Sequence, residues 1–182
     1  MRKLTASLFI ALDGVVDAPQ DWHFPYMDHR MQAAVAASMA GTDAFLLGRA
    51  TFEEWASFWP SQPSDDGMAD MINRTSKYVA SNTLDSPDWE NSEVLKGDAA
   101  ESVARLKRTE GGEISVAGSG TLVRSLLVAG LVDELNLLVH PIVVGRGKHL
   151  FEGGGHPRGL TLVSSEAFES GVVNATYAPA GS

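Results

Sequence analysis

The chain has no cysteine. Disulfides, thiolate metal sites and a cysteine nucleophile are therefore excluded, and the composition fits a reducing compartment such as the cytoplasm. Positive charge is also scarce: 14 Lys and Arg stand against 23 Asp and Glu, for a formal net charge of -9. Such a surface repels nucleic-acid backbones and anionic membranes, so neither is expected as a partner. No apolar run reaches the ~20 residues of a membrane span. The five histidines, His23, His29, His140, His149 and His156, lack the spacing of a metal site. The basic, then apolar start MRKLTASLFIALDG has the outline of a leader, but Asp13 interrupts it and no small-x-small cleavage site follows. It reads better as a first strand.

What is present suits one α/β domain over residues 1–182, with 44% apolar residues and no linker, repeat or low-complexity segment. The pattern predicts a strand over Lys3–Leu12, a long loop from Asp13 to Tyr26, a helix capped by Asp28 and running to about Ala40, and a strand over Ala44–Leu47. A helix over Thr51–Phe58 precedes a polar, Pro-containing loop. Short strands follow at Lys77–Ala80 and Glu93–Leu95, a helix from Asp98 toward Arg108, a strand at Ile114–Ala117 and a helix over Thr121–Ala129. Then comes a long apolar strand, Glu134–Val144. Strands near Leu160–Phe168 and Val172–Tyr177 close the chain as a hairpin around Glu169, Ser170 and Gly171. In VVGRGKHLF, Gly145 and Gly147 have the look of a phosphate loop, yet no helix clearly follows, which favours a turn or bulge.

Two strand-to-helix junctions carry the chemistry. LLGRATFEEW passes through Gly48, Arg49 and Thr51, and ISVAGSGTLV passes through Gly118, Ser119, Gly120 and Thr121. At each, glycine lets a ligand approach the backbone, and the unpaired N–H groups of a helix start favour an anion. Arg49 adds a planar, permanent charge. Two such junctions point to a ligand with phosphates at two places, most simply a dinucleotide.

The segments SLFIALDGVV, LLGRATFEEW, KYVASNTL and ISVAGSGTLVRSLLVAGLVDELNLLVHPIVVGRGKHLF, in this order and over nearly the whole chain, resemble the dihydrofolate reductase superfamily. The closer resemblance is to the C-terminal reductase domain of bacterial riboflavin biosynthesis. It implies a mixed, mostly parallel sheet with helices on both faces and a C-terminal antiparallel hairpin. It also implies an NADPH site: Gly48, Arg49 and Thr51 on the adenosine-side phosphates, Ser81 and Asn82 beside the adenosine, Gly118 to Thr121 under the pyrophosphate, and Phe9 to Val16 along the nicotinamide. Asn82 stands where this branch often has a basic residue, which weakens the case for NADPH over NADH. Judged without the family, Ser81 and Asn82 are turn residues. The chain carries no zinc-binding deaminase motif, so the bifunctional riboflavin enzyme is not expected.

The substrate side is less determined. Asp13 would sit in a tight turn facing the nicotinamide, and Asp28 is either a helix cap or an acid displaced by one position from the one the folate enzymes use. One residue on a helix is a rotation of about 100°. Trp22, Phe24, Trp55, Phe58 and Trp59 could border a planar heterocycle or could equally be core, and for Trp55 and Phe58, three apart on one helix face, core is the better reading. His140, before Pro141, is a further substrate-side candidate, or a core or edge histidine. The expected function is hydride transfer from NADPH to a small cyclic acceptor resembling a pterin, pyrimidine or flavin precursor. The alternatives are a nucleotide-binding module without turnover and a transferase that binds phosphate esters. A homodimer through the C-terminal strands is expected, because their apolar side chains would otherwise leave an unprotected edge.

Overall fold

Alternation along the first strand decides which side of the sheet each residue serves. In the computed structural model, which describes residues 1–63, 67–152 and 159–181, β1 (Leu4–Ala11) sends Leu4, Ala6, Leu8 and Ile10 into one core and Phe9 toward another. The remaining elements are α1 (His29–Met39), β2 (Thr42–Gly48), α2 (Arg49–Phe58), α3 (Met68–Arg74), β3 (Ser76–Ala80), β4 (Ser92–Leu95), α4 (Ala99–Leu106), β5 (Glu113–Val116), α5 (Gly120–Val128), β6 (Glu134–His140), β7 (Leu160–Ala167) and β8 (Val173–Pro179).

The eight strands lie in the order β4-β3-β2-β5-β1-β6-β8-β7. The first six are parallel, β8 runs antiparallel to β6, and β7 antiparallel to β8. Helices cover both faces. Val103 and Leu106 of α4 and Leu122, Val123 and Leu126 of α5 pack on the first core. On the other face α2 and α3 bury Phe52 and Ile72 against Phe45, Leu47 and Val79, while α1 buries Met31 against Leu138, Phe168 and Val172. This is the mixed sheet and terminal hairpin that the sequence predicts. Because β1, β2 and β5 are parallel and adjacent around β5, their C-terminal ends meet at one edge of the sheet.

Two expectations are corrected. The long strand stops at His140 rather than Val144, since Pro141 has no N–H to continue a ladder. The residues beyond it fold back instead onto the loop after β1: Leu12 N–H donates to the Ile142 carbonyl, Val16 N–H to that of Lys148 and Leu150 N–H to that of Gly14. Gly145 and Gly147, both at positive φ, make the turn, and a Cβ at Gly147 would lie 3.0 Å from that of Asp17. The second correction is α3, which falls where the sequence suggests only loop. Just two of its residues, Ala69 and Ile72, are buried, too few to display a helical period.

Candidate functional site

A gap between helices leaves part of the sheet uncovered. Between α1 and α2 the strands carry Ser7 on β1 and Ser115 on β5 in place of large apolar groups, and a cleft of about 410 Å³ opens above them. Phe9 and Leu138 complete the floor. Val35, Ser38 and Met39 form one wall, and Thr51, Glu54 and Trp55 the other. At the strand ends the cleft is bounded by Gly118 to Thr121, by Val16 to Gln20 and by Lys148. A cleft at the carboxyl edge of parallel strands, where the connections diverge, is the usual place for a ligand in such a sheet.

The two sequence junctions are one structure. Gly48 N–H donates to the Gly118 carbonyl at 3.2 Å, and a Cβ on Gly48 would lie 3.1 Å from Ser119 Oγ. Gly118, at φ 138°, lies so close that its Cβ would be 3.0 Å from Thr51 Oγ1; a Cβ on Gly120 would be 2.5 Å from Val16 Cγ2. The Gly118–Ser119 peptide is cis. Ser119 accepts the Leu122 N–H and so caps α5 in part, whereas Gly48 gives α2 no side-chain cap. The first-turn N–H groups of both helices thus converge on the same edge, a donor set suited to phosphate oxygens.

Of the residues expected at a cofactor, Phe9, Val16, Thr51, Gly118, Ser119, Gly120 and Thr121 line this cleft. Gly48 supports it from behind. Arg49 is half exposed, its Nη1 2.9 Å from each Glu53 carboxylate oxygen. Ser81 Oγ accepts the N–H groups of Thr83 and Leu84, and Asn82 exchanges two hydrogen bonds with the Gly97 backbone. Both residues build turns past β3 and β4, farther along the same edge.

The expected substrate-side residues lie outside the cleft. Asp13 Oδ2 accepts Gly145 N–H at 2.7 Å, a bond that holds its carboxyl below the usual range and ties the loop after β1 to the turn at Gly145. Asp28 caps α1, accepting Met31 N–H at 2.8 Å and more weakly Ser170 N–H at 3.4 Å; the Met31 bond chiefly lowers its pKa. Trp22 is buried, with Nε1 donating to the Asp17 carbonyl, and Trp59 packs on Trp55 and Phe58. Phe24 is exposed and leans on His23. His140 is wholly buried, with Nδ1 2.8 Å from the Leu138 carbonyl. His23 stacks on Phe9 with ring centroids 4.6 Å apart and His140 meets the same ring edge-on at 5.6 Å, so the two imidazoles pack beside Phe9, outside the cleft. Burial lowers both their pKa values.

Other cleft residues also carry a sequence signal. Thr51, Glu54 and Trp55 are spaced to share one face of α2, so the junction threonine already indicated its neighbours. Trp55 also packs edge-on against Phe45, serving core and cleft together. Ser7 and Ser115 are hydroxyls within otherwise apolar strands. Among the described residues, no group of three or more His, Asp or Glu could hold a metal ion. His156 lies outside them.

The RibD C-terminal domain model matches residues 2–174. The uncharacterized protein YyaP of Bacillus subtilis is 31% identical, the match covering 97% of this chain and 94% of YyaP. A riboflavin-biosynthesis-like protein from Shewanella sp. PV-4 superposes with a TM-score of 0.79 at 22% identity, covering 98% of this chain and 99% of the other. Dihydrofolate reductase from Enterococcus faecalis, complexed with NADP(H), shares the fold with a TM-score of 0.65 at 18% identity, covering 98% and 96%. The chain belongs to the RibD C-terminal domain family.

Proposed function

We propose that this member of the RibD C-terminal domain family is a reductase that binds NADPH along the strand ends and reduces a small cyclic acceptor in the cleft. One observation carries the reading: two helix starts, α2 and α5, meet through the Gly48–Gly118 hydrogen bond at the mouth of a cleft floored by bare sheet. In this reading Gly118 to Thr121 hold the pyrophosphate and Thr51 and Arg49 the adenosine-side phosphate, with Ser81 and Asn82 near the adenosine. Phe9 and Val16 border the nicotinamide.

NADPH, when bound, supplies a hydride. The chain's own task is to align donor and acceptor and exclude water, so no nucleophile is required. Phe9, Leu138, Val35 and Met39 give the cleft its dry surface. Asp13 acts by fixing the loop after β1. The reading places the reaction in the cytoplasm; among the described residues no helix is long and apolar enough to cross a membrane. The same reading includes a homodimer through β7, an edge strand whose residues are all exposed, Leu162 and Val163 among them.

Calorimetric titration with NADPH tests the binding step. Saturable 1:1 binding that is lost on adding bulk at Gly120 supports the reading. Tighter binding of ATP or a sugar phosphate than of NADPH would replace it with a transferase, and NADPH binding without oxidation by any cyclic acceptor would leave a binding module.

A further inference from the structure

The segment from Ala18 to Met27 bonds to itself rather than to the body of the protein. Asp21 N–H donates to the Ala18 carbonyl, Trp22 and His23 N–H to that of Pro19, Tyr26 N–H to that of His23 and Met27 N–H to that of Phe24. Trp22 Nε1 reaches no farther than the Asp17 carbonyl. Among the described residues no hydrogen bond or ion pair joins this strap to the sheet or to a helix. Ring contacts dock it instead: Trp22 and Tyr26 meet the His140 imidazole edge-on at 5.1 and 5.7 Å, and His23 stacks on Phe9. Its two ends, by contrast, are pinned. Val16 N–H donates to the Lys148 carbonyl, and the Asp28 carboxylate takes the Met31 and Ser170 amides.

The two imidazoles at the centre of this contact lack partners. His23 is 7% exposed and His140 fully buried, and His23 Nδ1 and His140 Nε2 have no hydrogen bond. The Leu138 carbonyl accepts from His140 Nδ1, which puts the neutral ring's proton there and leaves Nε2 bare. A proton added at Nε2 would find no acceptor. The rings lie 6.2 Å apart, so a charge on one opposes a charge on the other. Phe9, Phe24 and His140 face His23; Phe9, Trp22, Tyr26 and His23 face His140. Ala11, Val15, Ile142 and Val144 complete the packing around Trp22. No carboxylate acts on either imidazole. Asp13 and Asp28 are held by backbone amides, and Asp17 and Asp21 are exposed. An unpaired charge in such a box is costly.

We infer that Ala18–Met27 is an acid-released strap, docked while His23 and His140 are neutral and let go when they take up protons. Burial lowers the pKa of both docked rings, whereas a ring freed into water keeps a value of about 6.5. Below that pH the released strap therefore binds more protons than the docked one. Docking is strongest above it and weakens as pH falls, by up to about 10-fold per pH unit for each ring. The strap supplies Ala18, Pro19 and Gln20 to the lining of the cleft, so its release opens the cleft mouth.

Amide hydrogen exchange of the full chain from pH 7 to pH 5, corrected at each pH for the chemical exchange rate, tests the strap, with the amides of β1 and β6 as internal standards. Protection of the Trp22, His23, Tyr26 and Met27 amides falls at least about 10-fold over that range, while β1 and β6 keep theirs. His23→Phe preserves the stack on Phe9, and His140→Gln preserves a donor for the Leu138 carbonyl. Each removes part of the fall, and the double variant removes it; the single variants carry the test if the double variant does not fold. His29→Gln and His149→Gln, at imidazoles near the two ends of the loop, leave the fall in place. Protection constant with pH, a fall shared equally by β1 and β6, a fall undiminished in His23→Phe and His140→Gln, or one abolished in His29→Gln or His149→Gln would each overturn the inference. The measurement needs no ligand, so it judges the strap whether or not NADPH binds.

Discussion

Gly120 and Val16 touch so closely that a single added methyl group on the glycine would sit 2.5 Å from Val16 Cγ2. The start of α5 and the loop after β1 are thereby fitted to each other at the mouth of the cleft. Both surfaces are parts of the proposed cofactor site, so shape at this contact governs binding.

Gly120→Ala is expected to lower stability by about 1–3 kcal/mol through overpacking and to weaken NADPH. Gly120→Ala combined with Val16→Ala restores most of the loss, since the second change removes the clashing methyl. Denaturant melts and NADPH titration of the single and double variants measure this. Two independent, additive losses would show that the contact is not the cause.

In the proposed cofactor site, Arg49 is the residue expected to separate the two nicotinamide cofactors. If it reaches the 2′-phosphate, Arg49→Ala costs NADPH roughly 1.5–3 kcal/mol and leaves NADH nearly unchanged. Glu53→Gln should tighten NADPH, because the carboxylate that now competes for Nη1 is gone. An equal loss for both cofactors in Arg49→Ala would place the guanidinium on the pyrophosphate.

Dihydrofolate should turn over at well below about 1 per second. Asp28, whose carboxylate holds the Met31 and Ser170 amides, has no place in the cleft. Asp28→Asn therefore leaves reductase activity in place, and Asp28→Ala lowers the melting temperature by a few degrees through loss of a cap. The folded pKa of Asp28 is depressed. Its contribution is present above the unfolded value and is lost as pH falls through the folded one, so the Asp28→Ala penalty shrinks in acid. Fast dihydrofolate turnover abolished by Asp28→Asn would contradict the assignment.

Lys77 sets a pH signature on the opposite side. It is fully buried; its Nζ donates to the carbonyls of Asn73, Thr75 and Glu90 and lies 4.2 Å from the centre of the Trp89 ring. Burial pulls its pKa from 10.5 down to about 8. The unfolded chain then binds more protons than the folded one between those values, so this group makes stability rise with pH across that window. Lys77→Met should remove the rise. An unchanged pH profile in the variant would assign the slope to another group.

Sedimentation equilibrium is expected to give twice the 19.4 kDa chain mass. Leu162→Lys, on an edge strand 52% exposed at that residue, should give monomers. A dimer insensitive to that charge would place the interface elsewhere.

Local signals in the sequence located most elements because capping and alternation are local. Asp28 and Asp98 accept first-turn N–H groups, and Gly171 turns the last hairpin, each as its residue type suggests. Both junctions were visible as motifs, but their union was not. It depends on β5 inserting between β2 and β1, a long-range choice that no window of residues displays. The same holds for the substrate side: Trp22 and His140 are aromatic groups near the correct strand ends, yet long-range packing against each other and Phe9 keeps both out of the cleft. Pro141 did mark the true end of β6, and the apolar residues after it concealed that mark.

The strand order carries a consequence for synthesis. β1 leaves the ribosome first, yet both of its neighbours, β5 and β6, are made much later. At translation speeds of about 5–20 residues per second, its apolar edges wait roughly 5–20 s for the first partner. Both edges of β1 thus stay unpaired over that interval, and a truncation after β4 would lack the strands that flank β1 and the floor residue Ser115.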